Sequence, residues 1–210
     1  MVTRIIFARH RQTKDNVLDI ATGTNESPLT TLGRGQAVEC AYGLKRFNPD
    51  ALYTSPLERA KETAQIIGAH IGLMPIVDNR LIERYVGNYF QTLSNARIAV
   101  LVADEFARVR TMTLEEQLDY RYSIAPEAQT PRQKVEELMD FVAEVSQRHP
   151  DQTVIAVSHG AAIGNLHAVL GHILFRSIFG ADSIGNGSYI VVEHDSQMMR
   201  TKLVAGPSEI

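Results

Sequence analysis

The chain has one cysteine, Cys40, so no internal disulfide can form, and a reducing compartment fits that usage. No apolar run approaches the ~20 residues of a membrane-spanning helix. Near the N-terminus Arg4 and Arg9 bracket only four apolar residues, too few for a secretory signal. The expectation is a cytoplasmic protein with no membrane partner. A net charge of −3 supplies no broadly basic surface, which argues against nucleic-acid binding. Any anion must therefore be held by a local cluster. Internal repeats and low-complexity tracts are missing, as are a Walker loop and a metal-ligand cluster. His167 and His172 are five residues apart and do not share a helix face, so neither a metal nor a cofactor is implied. What remains is ordinary: 210 residues, 44% hydrophobic and 21% charged, enough for one α/β domain over 1–210 with a substantial core.

Within that composition one stretch stands out. Ile5 to Ala8 reads as a buried parallel strand that stops at Arg9-His10, followed by a polar segment with Gln12, Thr13 and Asn16. Ligands in open α/β sheets sit at the carboxyl ends of strands. A cation and a histidine delivered there suit a phosphoryl group. Residues 153–160 repeat the design, with an apolar strand, then His159, then Gly160 opening a helix. A single strand-end histidine is commonly structural, but a pair with Arg9 attached points to chemistry.

The motif Arg9-His10-x-Gln12-Thr13-x-x-Asn16 resembles the signature of the histidine phosphatase superfamily, the phosphoglycerate mutase-like proteins. Further blocks recur in that family's order: Ser27-Pro28-Leu29-Thr30, Ser55-Pro56-Leu57-x-Arg59-Ala60-x-x-Thr63, Leu81-x-Glu83-Arg84-x-x-Gly87 and Val157-Ser158-His159-Gly160. The resemblance implies a three-layer α/β/α sandwich with a mostly parallel sheet and a helical insertion beside the site. It also implies a metal-independent phosphomonoester hydrolase of small phosphorylated metabolites, with His10 as nucleophile and Glu83 as general acid. Arg9, Arg59, His159 and the Gly160 amide would stabilise the transferring group. Glu83 read from its neighbours alone is equally an exposed carboxylate or a partner of Arg84.

Taken in order, residues 17–29 form a polar loop. It is either a surface loop or, as the resemblance implies, a cover whose Thr22 and Gly23 join Asn16 at the phosphate. Thr30 or Thr31 caps a helix over Leu32–Phe47. Ala51–Thr54 is a strand, Ser55-Pro56 opens a helix, and Ile76-Val77 is a short strand. Residues 88–130 are too long for a plain connection and are expected to be a helical insertion, with patches over 96–107 and 114–122 and arginines mostly at the surface. Thr130-Pro131 starts a periodic helix running to Arg148, and His149 at its end is expected to be exposed. Ser188–Glu193 and Met198–Val204 are further strands, with a loose tail from Ala205.

The sequence departs from the family pattern at Arg11, where glycine is usual. Arg11 either adds a contact to the anion or points away, straining the backbone if a positive φ is required. Gln129 stands where relatives carry glutamate and is not required at the site. Two other functions stay open: a phosphoglycerate mutase, and a phosphate-binding module without turnover. Tyr120-Arg121-Tyr122 carries one arginine where mutases pair two, and Gly87-Asn88-Tyr89 resembles the Gly-x-Trp of the phosphatase branch. Nothing in the sequence decides the oligomeric state, which leaves a homodimer open.

Overall fold

The apolar run ending at Arg9 lies inside a six-stranded sheet, with both faces covered. The computed structural model describes residues 1–175, 184–196 and 200–209, the last of these as backbone. Strand β1 (Val2–Arg9) leads through a one-turn helix α1 (Lys14–Val17) to α2 (Thr31–Lys45). Then come β2 (Ala51–Thr54), α3 (Glu58–Ile71) and β3 (Pro75–Val77). The stretch that follows holds three short helices, α4 (Asn95–Leu101), α5 (Ala103–Val109) and α6 (Leu114–Leu118). Helix α7 (Pro131–Arg148), β4 (Thr153–Ser158), α8 (Gly160–Gly171), β5 (Ser188–Asp195) and β6 (Arg200–Glu209) complete the order.

The strands lie in the order β3-β2-β4-β1-β5-β6, the first four parallel, with β5 antiparallel to β1 and β6 antiparallel to β5. Side chains alternate across a strand, so the continuous run in β1 serves two cores. Ile5 and Phe7 pack with Leu138, Phe141 and Val142 of α7 and Ile163 of α8, whereas Ile6 and Ala8 pack with Cys40 and Leu44 of α2 and Ile67 of α3. Each fully buried Ile or Phe is worth ~1.5–3 kcal/mol, and these two layers of contacts close the sandwich. Helices α2 and α8 leave the neighbouring strands β1 and β4 toward opposite faces. The crevice opens where they part, beyond the strands' carboxyl ends.

Caps fix the ends of the elements. Thr30, not Thr31, accepts the Gly33 amide at 2.9 Å and starts α2. Thr130 and Gln133 form a capping box at α7, with Pro131 at its start. Thr13 and Asn16 do the same for α1, a helical turn inside what the sequence presents as polar loop. The expected patch over 96–107 breaks at Val102, and Tyr120 to Tyr122 are not helical. Val86, Phe90, Ile98, Val102 and Ala125 give this segment a core of its own, separate from the two against the sheet. Phe90 is buried there, while Tyr89, the expected aromatic, is exposed.

Two expectations are corrected. Residues 205–209 are not a loose tail: Ala205, Ser208 and Glu209 pair with Val191, Tyr189 and Ser188, and Gly206-Pro207 bulge opposite Ile190. Proline removes a ladder donor, and the bulge at this edge strand absorbs that loss. Met198, expected to begin the strand, lies outside the described residues. His149 is half-buried, because Nε2 meets the Tyr53 hydroxyl at 3.0 Å and Nδ1 meets Gln152 Oε1 at 2.8 Å. Among the described residues no helix is long and apolar enough to cross a membrane.

Candidate active site

The pairing of Arg9 with Ser158 in the parallel ladder places the ends of β1 and β4 side by side. His10 and His159, next in the chain, come together with ring centroids 5.2 Å apart. The His10 amide donates to the Ser158 carbonyl at 3.0 Å, and Asn186 Nδ2 donates to the His10 carbonyl at 3.0 Å. His10 Nδ1 meets the Arg11 carbonyl at 2.8 Å, a contact that only a protonated nitrogen can make. Nε2 therefore keeps its lone pair, and Arg59 Nε donates to it at 3.3 Å. Burial, followed by the charges of Arg59 and Arg9, holds the His10 pKa well below its ordinary 6.5, so the imidazole is neutral.

Arg59 sits in the first turn of α3, 2% exposed. Its Nη1 donates to the Asn25 carbonyl at 2.7 Å and its Nη2 to the Gly23 carbonyl at 2.6 Å. The loop over 22–25 is thus tied through Arg59 to the end of the sheet that carries His10, rather than being a free surface loop. It is held from the other side by Gln91, whose Oε1 accepts from the Thr24 amide at 2.5 Å and the Thr24 hydroxyl at 2.7 Å. Gly23 has φ +55, and a Cβ there would stand 2.5 Å from Gln91 Oε1, so both backbone and space call for glycine. Arg9 donates from Nη1 to the Ile184 carbonyl at 2.6 Å and lies flat against Gly160. A Cβ on Gly160 would come within 3.2 Å of the guanidinium carbon.

Glu83 lies two residues beyond the short 3₁₀ turn Asn79–Leu81 and reaches the start of α8. Its Oε1 accepts from the Ala162 amide at 2.8 Å and the Arg84 amide at 2.8 Å, and Oε2 accepts from the Ala161 amide at 3.1 Å. A carboxylate at a helix N-terminus meets unpaired N–H groups and the positive end of the dipole. Glu83 thus takes the two amides that follow Gly160, whose own amide is the one the resemblance assigns to the anion.

These groups line one cavity of about 210 Å³, walled by Arg9, His10, Asn16, Thr22, Gly23, Arg59, Glu83 and Gly160, with Ile20, Ala21, Val86 and Ala161 as apolar lining and Asn95 beside them. His159 is fully buried and is not among the lining residues, whereas the next residue, Gly160, is. Asn16 contributes while its Oδ1 caps α1, accepting the Thr13 amide at 3.1 Å. Arg9 Nε and His159 Nδ1 are buried and have no hydrogen-bond partner among the described residues. An anion is the natural acceptor for such donors.

Arg11 does not join them. Its backbone is unstrained, since it is absent from the positive-φ residues. Its side chain, 1% exposed, turns away to the Cys40 thiol and the backbone of Gly187. Gln129 pairs with Glu137, and none of Arg97, Arg108, Arg110 and Arg121 lines the cavity. Gln91, Asn186 and Ser55 are the residues that sequence reasoning missed. Gln91 and Asn186 carried no functional signal, and Ser55 stood in the Arg59 motif and at a helix opening with no role of its own. Among the described residues no group of three His, Cys, Asp or Glu side chains is placed to hold a metal ion.

The family model described as histidine phosphatase superfamily, branch 1, matches residues 5–205. The chain belongs to that superfamily. A Bacillus subtilis protein named uncharacterized phosphatase PhoE is 33% identical over 183 residues, covering 86% of this chain and 80% of its own. Glucosyl-3-phosphoglycerate phosphatase of Mycobacterium tuberculosis is 32% identical over 193 residues, covering 89% and 83%. A solved structure of a mycobacterial glucosyl-3-phosphoglycerate phosphatase in complex with VO3 matches with TM-score 0.80 at 29% identity, over 98% of this chain and 99% of that one.

Proposed function

We propose that the protein hydrolyses small phosphate monoesters without a metal, through a phosphohistidine on His10. The observation that carries this is the fixed tautomer of His10: Nδ1–H held by the Arg11 carbonyl, Nε2 directed to Arg59 beside the cavity. The Nε2 lone pair attacks phosphorus and the ester P–O bond breaks. The departing alkoxide takes a proton from the Glu83 carboxyl. Water then attacks phosphorus, the P–N bond breaks and returns its electron pair to His10 Nε2, Glu83 takes a proton from that water, and inorganic phosphate leaves. Arg9, Arg59, His159 and the Gly160 helix start offset the charge on the three oxygens during both transfers.

Water is the acceptor in this reading, not a second metabolite. Among the described residues the lining holds Ile20, Ala21 and Val86, and its cations are Arg9 and Arg59, which leaves no third charge there for a phosphoglycerate carboxylate. The relatives described above are named as phosphatases. A phosphorylated sugar acid, for which one is named, is the first ester to assay. We place the reaction in the cytoplasm, where the lone buried thiol of Cys40 stays reduced.

The test is incubation with a reactive aryl phosphate and an acid quench. An acid-labile, base-stable phosphoprotein and released phosphate are expected, both lost in His10→Ala and both unaffected by a chelator. Activity of His10→Ala within about tenfold of the parent, ~1.4 kcal/mol in the barrier, sinks the assignment. Interconversion of 3- and 2-phosphoglycerate faster than phosphate release would make the protein a mutase.

A further inference from the structure

We propose that Ser55 is a positioning residue: its hydroxyl donates to Nε2 of His159, so that His159 presents Nδ1–H to a transferring phosphoryl oxygen. The inference rests on the phosphatase reading for the identity of the acceptor, but not for the tautomer. Strands β2 and β4 are parallel neighbours with Thr54 beside Val157, and the Ser55 amide continues the ladder by donating to the Val157 carbonyl at 3.0 Å. The register therefore carries Ser55 to the strand end that bears His159, where Ser55 Oγ and His159 Nε2 are 2.7 Å apart. Both residues are 0% exposed, so neither can exchange this contact for water.

The direction of the bond follows from counting protons. Ser55 Oγ already accepts from the Leu57 amide at 3.3 Å. A hydroxyl has one proton to donate, and among the described residues His159 Nε2 is the acceptor within reach. Were Nε2 protonated, Oγ would accept twice and its own proton would be stranded in a fully buried site. The hydroxyl thus donates, Nε2 accepts, and the imidazole's proton resides on Nδ1. A second proton is opposed by burial and by Arg59, His10 and Arg9. The Nδ1–H is buried with no partner among the described residues. The His10 ring lies 5.2 Å away, centroid to centroid, so a phosphoryl group carried on His10 lies against His159. One neutral histidine would then be the nucleophile and the other a neutral donor, each set by one hydrogen bond on its far nitrogen.

The experiment is long-range proton–nitrogen NMR of ¹⁵N-histidine-labelled protein, with kinetics on an aryl phosphate. In the parent, His159 should show the Nδ1–H tautomer. Ser55→Ala should shift it toward Nε2–H and lower the rate of phosphoenzyme formation more than tenfold, and Ser55→Thr, which keeps the hydroxyl, should restore both. An Nε2–H tautomer in the parent, or an unchanged tautomer in Ser55→Ala, overturns the proposal. So does a changed tautomer with an unchanged phosphorylation rate. If Ser55→Ala fails to fold, Ser55→Cys, a weaker donor of similar size, gives the same comparison. Failure of the parent to phosphorylate His10 would instead count against the phosphatase reading, with the tautomer still readable.

Discussion

Oε1 of Glu83 accepts the amide of Ala162 at 2.8 Å, so the carboxyl group assigned to proton transfer is aimed by the first turn of α8. That turn begins at the residue after His159, and its Gly160 and Ala161 line the cavity beside Glu83. A general acid matters most when the leaving group is basic. Glu83→Gln should lower kcat/KM for alkyl phosphates by about 10²–10⁴-fold, and for p-nitrophenyl phosphate by about tenfold or less. Equal losses on both would make Glu83 a structural cap of α8.

Gln91 connects the segment after β3 to His10 through a relay of hydrogen bonds. It holds Thr24, the loop carbonyls of Gly23 and Asn25 hold Arg59, and Arg59 Nε meets His10 Nε2. Gln91→Ala leaves the Thr24 amide without its acceptor, at a cost of ~1–3 kcal/mol if it stays buried. The expected result is a rise in KM for phosphate esters of about tenfold, ~1.4 kcal/mol of lost anion binding. Steady-state kinetics beside urea unfolding check it; an unchanged KM would detach this loop from Arg59's function.

Arg11 is buried with its guanidinium against Cys40, and only its backbone carbonyl serves His10. Arg11→Met should therefore keep kcat/KM within about tenfold, ~1.4 kcal/mol. Arg11→Gly should be far less stable, because it empties the volume of a large buried side chain at a cost of ~2–5 kcal/mol. Activity of Arg11→Met reduced by many powers of ten would place the guanidinium in the phosphate chemistry after all.

The two site histidines also set an acid limit on stability. Burial first, then the charge of Arg59, depresses the pKa of His10 and of His159 well below the ordinary 6.5. An unfolded histidine titrates near ~6.5, so below that pH the unfolded chain binds protons that the folded chain refuses. Stability contributed this way is complete above ~6.5 and falls as the pH drops toward the folded values. Urea midpoints should decline between about pH 7.5 and about pH 5.5, where most carboxylates remain ionised. His10→Asn should make that decline shallower; a parent midpoint that is flat across this range would contradict the neutral assignment.

The elements and the chemistry of this site were written locally. A strand buried on both faces is a continuous apolar run, and Thr130-Pro131 with a 3.6-residue stripe is a helix wherever it sits, so β1, β4 and α7 could be read without a partner. Arg9, His10, Arg59, Glu83 and His159 stood out because each ends or follows such an element in a recognisable motif. Contacts between distant residues were not legible. Gln91 and Thr24 are separated by 67 positions, and Ser55 and His159 by 104. Their meetings depend on strand register and on how the segment after β3 packs, which no local period encodes. The same holds for Arg11, whose long side chain had equal local licence to turn to the anion or away, and for residues 205–209, which lack strand propensity of their own. For Arg11 the tertiary structure supplied the thiol of Cys40. For the C-terminal residues it supplied an unpaired edge on β5, whose backbone groups would otherwise have had no ladder to complete.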